Sequence, residues 1–171
     1  MAGQLVQVAT NTVTSAVASV TLTGIDSDDV YMVAMNNVVP ATDSNYIYAR
    51  FTESGTPNST ANYDLADKDL RASEAFANDS YQNFSIIDLG FAVGNDTGEE
   101  TGGILYIYNA NNSSEYTFCT IENYYMVSTP KLRGKAGGAV FTQTSAVDGI
   151  QFFFGSSVNT ASGTFTLYRV V

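Results

Sequence analysis

Asp26, Asp28 and Asp29 crowd a single turn in "GIDSDDVY". Oxygen-rich clusters of this kind bind Ca²⁺ when backbone carbonyls complete the coordination shell. The EF-hand pattern fails here, because its glycine position falls on Tyr31 and its terminal glutamate on Asn37. The turn reads as a weak Ca²⁺ candidate set against a solvated turn between strands, and the solvated turn is the stronger reading. A second acidic set, Asp64, Asp67 and Asp69, has the spacing of carboxylates that cap a helix and offset its dipole, with Lys68 and Arg71 close by. Paired acids also serve glycosidases. Asp88 and Glu122 fall within strand-like segments, but a chain with 17 acidic residues offers many such pairs and nothing fixes their separation.

Other chemistry is excluded by residue type. Histidine is absent, which removes the commonest general base, the usual catalytic triads and nearly every zinc site. The single Cys119 rules out an internal disulfide and reads as a small core residue in "YTFCTIE". No residue is assigned a catalytic role, and no cofactor is expected. A net charge of −10 argues against nucleic acid and against anionic membranes. No long apolar run suggests a membrane span, and "MAGQLVQVATNTV" has no basic-then-apolar leader pattern.

Two features point to binding. "KLRGK" places Lys131, Arg133 and Lys135 together as the one local basic patch, suited either to an acidic partner or simply to a solvated loop. Tyrosine and phenylalanine are plentiful, and Tyr46, Tyr48, Tyr124 and Tyr125 could stack on sugar rings if exposed. Ordinary strand packing is the simpler use for them.

The elements that must hold these residues are mostly strands. Period-two alternation dominates, in Ala16–Thr23, Val30–Val39, Asn45–Thr52, 83–93, 104–109, 116–123, 139–144, 149–154 and 164–171. Asp64–Ala77 is the only stretch that reads as a helix, and a short one. The expected fold is all-β: an antiparallel β-sandwich or jelly roll of about ten strands with at most one short helix. Residues 1–14 form an N-terminal arm or edge strand, and 15–171 a single β-sandwich domain. The segments at 104–109 and 116–123 read as a hairpin, as do the two closing segments. In "DGIQFFF", Phe152 and Phe154 fall on the core side. Phe153 covers the opposite face or meets a partner.

The closing stretch also carries a family resemblance. "DGIQFFF" (148–154) followed by "SSVNTASGTFTLYRV" (156–170) resembles the C-terminal signature of small virion structural proteins of tailed phages, of the marine and cyanobacterial phage type. "SVTLTGIDSDDVYMVAMNNVVPATD" (19–43) and "GILYIYNANNSSEYTF" (103–118) are similar to earlier parts of the same group, in the same order. Arg169 departs from the small residue usual after the tyrosine of that signature. The resemblance implies a non-enzymatic β-sandwich on the virion. One form is a capsid decoration (cement) protein on the capsid surface, stabilising the shell by contacts with the major capsid protein and with copies of itself, as a homo-oligomer such as a trimer. The alternative is a tail-fibre or tail-tip lectin-like domain that binds host glycans. Without a coiled-coil, repeat or β-helix shaft in the sequence, the capsid form is the first expectation.

Overall fold

A computed structural model describes residues 3–171, and every regular element in them is a β-strand. In chain order these are β1 (Leu5–Val13), β2 (Val20–Thr23), β3 (Tyr31–Pro40), β4 (Asn45–Glu53), β5 (Thr56–Pro57), β6 (Tyr63–Arg71) and β7 (Ala77–Phe84). There follow β8 (Ile87–Val93), β9 (Thr101–Tyr108), β10 (Thr117–Val127), β11 (Lys131–Phe141), β12 (Gly149–Phe154) and β13 (Thr160–Val170).

All pairings are antiparallel, and the strands form one sheet in the order β1-β13-β3-β9-β10-β8-β4-β12-β2. A branch leaves β10 through β11 to β6 and β7. The join between β10 and β8 is slender, a single residue pair, Val127 with Val93. Near the opposite ends, Val17 just before β2 bridges Thr160 of β13. The sheet therefore comes close to closing on itself around its apolar interior.

That interior follows from alternation. β10 reads buried at Thr117, Cys119, Ile121, Asn123, Tyr125 and Val127, with the intervening residues turned outward. Phe51, Tyr63 and Phe141 pack ring against ring at 4.9–6.2 Å. The Tyr63 hydroxyl donates to the Asn58 carbonyl and accepts from Phe51 N, so its polar end is satisfied inside the core.

Two expectations from the sequence are corrected. Asp64–Ala77 is not a helix: it forms β6, a turn and the first residue of β7. Tyr63, Leu65, Asp67 and Asp69 alternate inward. Charged residues at alternate positions hide that period, because aspartate looks like a surface residue until a counter-charge is found for it. The final two strands do not form a hairpin either. β12 lies between β4 and β2, whereas β13 lies between β1 and β3. Their aromatic rings meet across the core instead, Phe152 against Phe165 at 5.2 Å. The β9–β10 hairpin forms as expected, with Phe118 opposite Tyr108. β1 pairs along its length with β13, from Leu5 opposite Val170 to Val13 opposite Gly163.

Phe152 and Phe154 are buried and Phe153 is turned to the outer face, partly exposed. Phe152→Ala removes a ring from the centre and should cost about 3–5 kcal/mol in chemical denaturation. Phe153→Ala should cost under about 1.5 kcal/mol. Equal losses at the two positions would contradict the placement of the rings.

Candidate functional site

The chemistry-bearing residues gather in two places, one interior and one on the surface. The interior site forms where the β11-β6-β7 branch folds over the edge of β8. Lys135 points inward from β11, and its Nζ donates to both oxygens of Asp67 at 3.1 and 3.2 Å. It also donates to Asp79 at 3.2 Å and to Asp88 at 3.1 Å. The lysine side chain is 0% exposed, as is that of Asp67, while Asp88 is 10% and Asp79 28% exposed. Solvent thus reaches the cluster from the Asp79 side.

A second ionic group continues the first. Asp69, fully buried, accepts from Arg71 Nε at 2.6 Å, Arg133 Nη1 at 3.4 Å and the Tyr125 hydroxyl at 3.2 Å. Glu74, in the β6–β7 turn, holds the outer ends of Arg71, Arg133 and Lys131. Asn123 ties the seam to the backbone: its amide donates to the Leu89 carbonyl and its oxygen accepts from Lys135 N. Gly90 has φ +153°, and a Cβ there would press on the Tyr125 ring at 2.9 Å, so glycine is what lets that ring reach Asp69.

The electrostatics follow from burial. Burial opposes the Lys135 charge, but Asp88 and Asp67 outweigh it and hold the ammonium above the usual lysine range. Burial pushes the Asp67 carboxyl above its ordinary value, with Lys135 pulling the other way. Burial, followed by the charge of Asp69, raises the Tyr125 phenol.

The surface site lies on the outer faces of β8, β4 and β12. Phe91, Tyr46, Tyr48 and Phe153 form a row with centroids 5.7–6.1 Å apart. A guanidinium closes each end, Arg133 over Phe91 and Arg50 over Phe153, both at 4.6 Å. Arg50 donates from Nε to the Ser85 carbonyl and has no carboxylate partner among the described residues. An open hollow beside it is lined by Tyr48, Arg50, Gln151, Phe153, Ser156 and Ser157 among others. Burial and then Asp88 push the Tyr48 phenol up to about 12.

The sequence candidates divide between these places. Lys135 is interior and Arg133 largely so, so the basic run is not a surface patch: β11 turns those two side chains inward, and only Lys131 remains exposed among the three. Tyr125 is buried, whereas Tyr124 is exposed on the outer face of β10. Tyr46 and Tyr48 stand side by side. Asp88 and Glu122 face different surroundings, Asp88 the Lys135 cluster and Glu122 solvent, and do not form an acid pair. Asp64, Asp67 and Asp69 cap no helix.

Asp26, Asp28 and Asp29 are turned to separate partners. Asp26 accepts from the Tyr31 hydroxyl, Asp28 from Asn112, and Asp29 from Ser27 and Arg169. The Ser27 hydrogen bond and Arg169 hold the Asp29 carboxyl below its usual range. Among the described residues, no His, Cys, Asp or Glu group has a metal-holding arrangement.

Sequence reasoning missed Asp67 and Asp79 as partners of Lys135, and Arg50 and Phe91 as parts of the aromatic row. The alternation of "YDLADKD" and "TFCTIENYY" was the available signal, since it sets Asp67, Asp69 and Asn123 on the inward side. No family model matches this chain, no curated protein matches it, and no solved structure matches its fold.

Lys135→Met leaves three carboxylates without their counter-ion and should cost about 3–5 kcal/mol at neutral pH. A buried aspartate with a raised folded pKa contributes stability below its unfolded value and loses it as pH rises. Deleting the ammonium raises Asp67 further, so the variant should regain stability as pH falls from 7 toward 5 in urea titrations. A deficit that does not change with pH would contradict this charge arrangement. Cys119, whose thiol burial pushes up to about 12, should resist alkylation in the folded protein and react only on unfolding.

Proposed function

We propose that the protein is a structural component of a phage virion, seated on the outer surface of the capsid and acting by contact rather than catalysis. Its partners are the major capsid protein and copies of itself. One observation carries this reading beyond the family resemblance. Ile104 and Tyr106 of β9, Phe118 and Tyr124 of β10 and Leu132 of β11 are all exposed on the outer face of three adjacent strands. These side chains share the face with the exposed Thr120 and Glu122 of β10, and a mixed aromatic and polar face of this kind suits association with another protein. Removing the protein from particles should lower their resistance to heat and low salt. Phe118→Lys and Tyr106→Lys should weaken its binding to stripped particles by about tenfold or more without unfolding it. Stripped particles that remained equally robust but failed to adsorb to cells would overturn the capsid reading.

A second reading has its own support. Tyr46 and Tyr48 stack at 5.8 Å in the middle of the row, between end rings that Arg133 and Arg50 cover, and the exposed Tyr46 offers aromatic surface on which a sugar ring can stack. On this reading the protein is a host-facing, glycan-binding module. A glycan array should then show binding that Tyr46→Ala and Tyr48→Ala abolish, and a blank array would remove the reading.

A further inference from the structure

Lys135 and Asp67 have more than an ion pair in their geometry. We propose that the Lys135 amine and the Asp67 carboxyl condense into an isopeptide bond that joins β11 to β6, with Asp88 as the proton-transfer residue. The two strands are neighbours, and Lys135 and Asp67 sit diagonally on the same face: Gly137 is opposite Asp67 and Lys135 opposite Asp69. Nζ lies almost equally far from the two Asp67 oxygens, 3.1 and 3.2 Å, as in a bidentate ion pair, so a turn of the carboxyl about Cβ–Cγ is enough to present its carbon to the amine. Gly137 supports this approach, because a Cβ there would stand 2.4 Å from the Asp67 Cβ and displace the side chain. Both reacting side chains are fully buried, so water competes little for either.

The remaining carboxylates supply the rest. Asp88, 3.1 Å from Nζ, accepts a proton from the ammonium and frees the amine lone pair, an uphill transfer because the surrounding carboxylates hold that ammonium above the usual lysine range. The amine adds to Cγ of Asp67 in its carboxylic-acid form, toward which burial shifts the group while the Lys135 charge opposes that shift. The tetrahedral carbon then expels one oxygen as water. Asp88 lends its proton to that oxygen and recovers one from the nitrogen. An Nζ–Cγ bond replaces a Cγ–O bond, and Asp88 ends protonated. No oxidant, reductant or cofactor enters the balance. Water leaves on the Asp79 side, where the cluster is most exposed. The product exchanges a buried ammonium for a neutral amide, which removes the desolvation cost that opposes the ion pair.

The test is the intact mass of the full, purified chain under denaturing conditions. The expected mass is lower than that of the sequence by one water molecule, and trypsin should fail to cleave after Lys135. The peptide holding that lysine should be recovered joined to the peptide holding Asp67. Lys135→Arg and Asp67→Ala should each show the full mass of their own sequence. Should those variants fail to fold, Asp88→Asn retains both reacting groups and should form the bond slower by on the order of a hundredfold. Full mass in the folded native protein overturns the proposal. A bridge to Asp79 or Asp88 overturns the choice of acceptor, and native-rate bonding in folded Asp88→Asn overturns the role of Asp88.

Discussion

An ammonium without water must be matched by acceptors on nearly every side, or the segment carrying it will not stay buried. Lys135 meets that requirement with Asp67, Asp79 and Asp88, drawn from three different strands. Desolvating each of these ions costs several kcal/mol, so the cluster holds only when all of them arrive together. That makes it a specificity device as much as a source of stability. A register slip of one residue between β6 and β11 would turn Asp67 and Asp69 outward and leave the lysine unmatched.

The location of the cluster explains why it is needed. β8 pairs with β10 in the ladder at one residue pair, so much of its edge backbone would otherwise face the branch strands unpaired. Asn123 takes the Leu89 carbonyl, and Asp88 turns toward Lys135. Polar side chains thus do at this seam what ladder hydrogen bonds do elsewhere in the sheet. The same inward turn of β11 that delivers Lys135 also brings Arg133 onto Phe91, which ties the aromatic row on the surface to the ionic interior.

The all-β character was legible because alternation and turn composition are local properties. The inward side of "GIQFFF" and the β9–β10 hairpin were legible for the same reason. What was hidden depended on pairing across the chain. Asp67 and Lys135 lie 68 residues apart, and each alone looks like a surface residue. Seen singly, the acids of β6 suggested helix caps and the cations of β11 suggested a basic patch. Only the register of the two strands shows that each cancels the other. Likewise, "FFFGSSVNTASGTF" reads as a hairpin until β4 and β3 claim the two strands for different parts of the sheet. The surface row was half visible, since Tyr46 and Tyr48 alternate on β4, while Phe91 and Phe153 come from strands on either side.

The two ends of the described chain meet on one edge. Gln4 N donates to the Val171 carbonyl at 2.7 Å, and Val171 N donates to the Gln4 carbonyl at 2.9 Å. From there β1 and β13 run antiparallel, away from the shared end. A force pulling those ends apart would act on the ladder one rung at a time, as a zipper opens, instead of loading all its hydrogen bonds together in shear. The molecule is therefore mechanically soft when held by its two ends.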